Sequence, residues 1–190
     1  MDSRQARDDL KAIRQIMNSA RQASGREAGW FLILWGLIWL IGFCGSQFLR
    51  GEVSGWLWTI LNTLGGLLSI WLGVRMGRQV GEPSLLWRII LMWWLALAFF
   101  AALVIWLFDL HELNQHVLVI VLTVALGYMQ FGLFTHWSIS VIGFVLGALA
   151  VAAAAWLPGI LSLVMGFAGG GVLIGGGAWM LRVTRKEEVA

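Results

Sequence analysis

The stretch Asp109-Leu110-His111-Glu112-Leu113-Asn114-Gln115-His116 gathers two imidazoles and two carboxylates within eight positions. His111, Glu112 and His116 spell H-E-x-x-x-H, one residue longer than the zinc-protease H-E-x-x-H, whose histidines at i and i+4 share a helix face. At i and i+5 two side chains diverge by about 140° around a helix, so this pair cannot close on one ion from a helical surface. Folded as a loop, Asp109, His111, Glu112 and His116 have the donor chemistry for zinc or a similar ion. The simpler reading is a solvated loop, because the stretch separates two apolar runs and a turn there must meet water. On that reading no metal and no cofactor is assigned. His136, beside Trp137, has no neighbouring ligand types and reads as an interfacial residue.

A second motif lies near the C-terminus, where "FAGGGVLIGGGAWM" places Gly169, Gly171 and Gly175 in a loose G-x-G-x-x-x-G. A phosphate-cradling loop needs a strand before it, a helix after it and water around it. Here an apolar run precedes the glycines and charges follow them, so the nucleotide reading fails. The alternative is a helix whose small residues let a neighbour come close, with Gly166, Gly170, Gly171 and Gly175 as small-xxx-small pairs. Gly66 and Gly73, about seven residues apart before a basic residue, repeat the design of Gly170 and Gly177, and both sets are assigned to helix packing. Convergence on the same packing demand explains that similarity as well as duplication does.

Other chemistry is sparse. No nucleophile with an adjacent base and no paired carboxylates within the apolar runs can be found, so an enzyme is not expected. The polar residues inside those runs are mild: Asn62, Thr63 and Ser69, then Thr123, Tyr128, Gln130 and Thr135. Such groups serve chiefly as hydrogen bonds between helices, at about 0.6 to 2 kcal/mol each. Asn62 and Gln130 are also the residues that would line a narrow polar path. Among the 13 tryptophans, eight fall near the ends of apolar runs, where indole meets a headgroup region. Trp35, Trp39, Trp93 and Trp94 lie deeper, either as bulky filler opposite glycine-rich helices or as an aromatic pocket for a flat or cationic ligand. Cys44 has no second cysteine to pair with inside the chain and reads as a buried thiol.

The elements that must position these residues are set by composition. Hydrophobic residues make up 59% of the 190 and charged residues 12%, and mean hydropathy is +0.82, values that exclude an ordinary water-soluble domain. Runs of about 20 apolar residues, the length a helix needs to cross hydrocarbon, predict six spans at 30–49, 55–74, 86–108, 116–135, 138–157 and 160–181. "THWS" and the Pro158-Gly159 pair are the turns between the last three. The fold class expected is therefore all-α, a bundle of six transmembrane helices.

Twelve of the thirteen basic residues fall on one side if the spans alternate: six between Arg4 and Arg26, then Arg75, Arg78 and Arg88, then Arg182, Arg185 and Lys186. Arg50 stands alone on the other. The positive-inside rule then puts both termini in the cytoplasm of a bacterial inner membrane, and this topology accounts for the sequence pI of about 9.8 without nucleic acid. Residues 1–28 form a cytoplasmic segment in which Leu10, Ile13, Met17 and Ala20 recur at helical spacing, an amphipathic helix suited to the membrane surface or to docking. Residues 29–182 are the membrane domain and 183–190 a charged cytoplasmic tail. The expected partners are membrane lipids and either further copies of the chain or another membrane protein. The function expected is that of a non-enzymatic accessory, scaffolding or sensory subunit working through helix contacts, the alternative being a small oligomeric transporter or channel for a neutral or weakly polar solute.

Overall fold

The structure, a computed structural model, describes residues 28–49, 51–80 and 84–189. The expected amphipathic helix and the basic residues between Arg4 and Arg26 lie outside the described residues. Every regular element among those described is helical: α1 (Ala28–Phe48), α2 (Glu52–Val80), α3 (Ser84–Leu107), α4 (Leu113–Phe134), α5 (Trp137–Trp156), a 3-10 turn (Pro158–Ile160), α6 (Leu161–Val164), a π turn (Met165–Gly169) and α7 (Gly170–Val189). Five of these rods are long and apolar enough to cross a membrane, the last running from Pro158 to Val183 through α6, the π turn and α7. The third is a shorter apolar stretch, Leu91–Leu107.

The breaks have local causes. Thr135 ends α4, donating its hydroxyl to the Phe131 carbonyl at 2.9 Å, and His136 takes an extended conformation to start α5, its Nδ1 accepting from the Ser138 amide at 3.3 Å. Two residues thus reverse the chain, so α4 and α5 lie antiparallel in extensive contact. Gly132 and Gly143 permit that closeness. A methyl at Gly143 would stand 2.6 Å from the Ala125 carbonyl oxygen, and one at Gly132 would collide with Ser140, whose hydroxyl donates to the Met129 carbonyl at 2.7 Å. At the other end, Pro158 begins the 3-10 turn, where Asn114 donates to the Pro158 carbonyl at 2.8 Å and Gln47 to that of Gly159 at 3.4 Å. The C-terminal end of α1, the start of α4 and the start of the last rod therefore share one end of the bundle.

A single core fills the space between α1, α4, α5 and the last rod. Leu32, Trp39 and Phe43 meet Val121 and Ala125, Ile139, Leu146 and Ala150, and Leu161, Met165 and Leu173. Among the described residues of α2 only Trp58 joins it, partly buried, while α3 packs on α4 beside this core. Large apolar side chains cover the outside, including Phe48, Trp56, Leu67, Phe99, Phe144 and Phe167, an arrangement consistent with a membrane protein.

Candidate functional site

The acidic and histidine stretch does not converge. Asp109 Oδ1 and His111 Nε2 pair at 3.1 Å with both side chains more than three-quarters exposed. Glu112 is taken up in capping α4, its side chain receiving the N3 amide while Gln115 receives the Glu112 amide. His116 Nδ1 sits 3.0 Å from the Glu112 carbonyl oxygen within the first turn. Helix α4 therefore starts inside the motif and spreads its members around a turn. Among the described residues, no three His, Cys, Asp or Glu side chains gather where they could hold an ion.

The deep tryptophans divide between two sides of the bundle. Trp39 meets Phe43 edge to face at 5.3 Å, Phe43 meets Trp58 at 4.8 Å, and Trp35 lies by Gly65 of α2. Trp93 stacks with Phe131 at 6.0 Å and Trp94 meets Tyr128 at 5.6 Å, joining α3 to α4. Trp39, Trp93 and Trp94 each pack against another ring, and Trp35 packs by Gly65. Gln130 is half-buried on α4, Asn62 is exposed on α2, and no hydrogen bond joins them.

The glycines separate more sharply. The last rod crosses α1 antiparallel, with Gly177 opposite Gly29 and Gly170 opposite Gly36. A methyl at Gly177 would stand 2.5 Å from the Gly29 carbonyl oxygen, one at Gly170 2.9 Å from that of Gly36, and one at Gly166 2.7 Å from Cys44 Sγ. The π turn lies within this crossing, with Gly166 facing Cys44 and Gly169 facing the Trp39 ring, the two glycines that let the widened turn press against α1. Gly171 and Gly175 face open space. So does Gly66, whereas its neighbour Gly65 carries the contact with Ile38 and Trp35; Gly73 is half-buried.

One polar centre had no signal in the sequence. Ser46, on α1, is buried and fully engaged: it accepts from Trp58 Nε1 at 2.8 Å and from the Ser54 hydroxyl at 3.2 Å, and donates to the Gly42 carbonyl at 2.8 Å. Gly42 makes room for the Trp58 ring, 2.7 Å from where a methyl would lie. The near coincidence of a serine on α1 with Ser54 and Trp58 across the turn at Gly51, where φ is +59°, is what locks α2 onto α1.

Away from the line of Leu57, Trp58 and Gly65 that faces α1, α2 is bare. Val53, Trp56, Ile60, Leu64, Leu67, Ile70 and Trp71 are exposed, as are Thr59, Asn62 and Thr63. Thr59 satisfies itself by donating to the Gly55 carbonyl at 2.9 Å. The Asn62 amide makes no hydrogen bond among the described residues, and the Ser69 hydroxyl is buried without a partner. Chemically, the uncovered face of α2 can bind another helix: it offers small residues for close approach and an amide with unused donors and an unused acceptor. Searches of family models, curated proteins and solved structures return no match to this chain, so its function must be read from these side chains.

Proposed function

We propose that this chain is a six-span protein of a bacterial inner membrane, with both termini and the N-terminal segment cytoplasmic, that works without catalysis as an accessory, scaffolding or sensory subunit through helix contacts. The helix it offers to a partner is α2. One observation carries the reading: the core of α1, α4, α5 and the last rod takes only Trp58 from the described residues of α2, which keeps an unpartnered Asn62 near its middle. Asn62 lies ten residues from Glu52, about 15 Å along a helix, and so falls close to the centre of a bilayer if α2 spans it. An unsatisfied polar group at that depth costs several kcal/mol, whereas an interhelical hydrogen bond recovers part of it. Lipid tails supply no such bond. A helix from another polypeptide does.

The experiment is a benzophenone attached to a Gly66→Cys thiol in a Cys44→Ser background, illuminated in native membranes. A defined protein adduct, weak or missing when the probe sits at Leu64→Cys on the far flank of α2, is the expected result. Lipid adducts alone at both positions would refute the proposal.

A further inference from the structure

We infer that the last rod is a two-register device: its π turn passes from Met165–Gly169 to the far side of Gly177, and the residues between slide one position along α1. A π turn holds one residue more than the α turn it replaces, so everything beyond it is set back by one place. When the turn moves on, each residue it has passed takes the place of the next, a rotation of about 100° and an advance of about 1.5 Å. Packed interfaces convert such small, discrete helix shifts into two states. Gly166 against Cys44 anchors the rod before the moving stretch, and Met180 anchors it in the core beyond.

The glycines decide whether the move is open. In the Gly170 place an added carbon stands 2.9 Å from the Gly36 carbonyl oxygen, in the Gly176 place 2.5 Å from Ile142 Cδ1, and in the Gly177 place 2.5 Å from the Gly29 carbonyl oxygen. After the move these places fall to Gly169, Gly175 and Gly176. Each again holds a glycine. Single glycines at the contacts would allow only the present register, whereas the runs Gly169-Gly170-Gly171 and Gly175-Gly176-Gly177 allow both. No contact in the present register calls for glycine at 175, where nothing lies within 4 Å of an added carbon. The larger residues fit as well: Ile174 turns into the open place of Gly175, Leu173 takes the half-buried place of Ile174, and Val172 the buried place of Leu173. Valine fills that place less well than leucine, so the present register is the more stable and a variant driven into the second still melts lower. A shift of the whole helix would press the Trp179 indole into the place of Met180, which is 3% exposed. The π turn therefore migrates within the rod and is not lost from it.

The test is a set of alanine substitutions in the full chain, read as thermal unfolding in mild detergent and in lipid. Gly170→Ala and Gly177→Ala each collide in the present register and are relieved in the second, in the places of Gly171 and Ala178. One move relieves both, so the double variant is expected to melt no lower than the less stable single variant. Gly175→Ala is expected to be harmless alone, but it closes the second register by meeting Ile142. Added to Gly170→Ala, it is expected to lower the melting temperature by at least about 3 °C. Additive effects of Gly170→Ala and Gly175→Ala, which lie on different faces of the helix, would overturn the inference. So would sub-additivity of Gly170→Ala with Gly177→Ala and no effect of Gly175→Ala, the mark of two helices merely spreading apart. Failure of Gly170→Ala to fold would overturn it too, because the second register leaves that methyl in open space.

Discussion

At the scale of single residues, the chain economises on hydrogen bonds and places them where helices meet. Ser46 holds three with one hydroxyl, two of them from α2. Trp58→Phe removes both the indole donor and the outer ring edge that lies against Gly42, and is expected to cost at least about 1 kcal/mol of unfolding free energy. Combined with Ser46→Ala in a double-mutant cycle read by chemical denaturation in mild detergent, the pair should show coupling of about 1 kcal/mol; additive losses would mean the bond contributes nothing. The glycines of the last rod give a sharper contrast. Gly170→Leu must displace the Gly36 carbonyl, 2.9 Å from the nearest added carbon, and is expected to lower the melting temperature by an amount matching an overpacking penalty of about 1 to 3 kcal/mol. Gly171→Leu, its neighbour, points into open space and should leave the melting temperature of the single chain unchanged. Composition marks a glycine-rich helix as close-packed. It does not mark which glycines, because adjacent positions lie about 100° apart and the contacting side is set by a helix more than 130 residues away in sequence.

At the scale of elements, apolar runs and their punctuation were legible: each expected span overlaps a helix, and the Thr135-His136 and Pro158-Gly159 breaks fall between helices. Periodicity reports which side of a helix is buried, and says less about what buries it. That is why Trp35 and Trp39 share a depth with Trp93 and Trp94, although Trp35 lies by α2, Trp39 by Phe43 and Gly169, and the other two join α3 to α4. It is also why Gly29 and Gly36, the partners of Gly177 and Gly170, carry no packing signal in a run dominated by bulky residues. The two adjacent glycines of α2 separate the roles of that helix. Gly65→Leu collides with Ile38 and should loosen α2 from α1, seen as faster amide hydrogen exchange in α2 in detergent. Gly66→Leu should leave that protection intact and weaken only the docking of a second helix.

At the scale of the whole molecule, the described helices divide into a complete four-rod core and two rods, α2 and α3, attached at its side. Orientation is separately testable: a cysteine at Glu112 in a Cys44→Ser background should react with an impermeant thiol reagent in intact cells, and one at Arg182 should react only after permeabilisation. The reverse pattern would invert the topology. In the membrane the Gly55-Thr59-Asn62-Gly66 face of α2 is expected to be covered by a helix while its far flank meets lipid. Spin labels placed singly along α2 in proteoliposomes, with oxygen as the lipid-phase relaxation agent, measure this directly. Oxygen accessibility is predicted to be low at Gly55, Thr59, Asn62 and Gly66 and high at Val53, Ile60, Leu64 and Trp71, repeating every three to four residues. High accessibility at all eight positions would contradict the account.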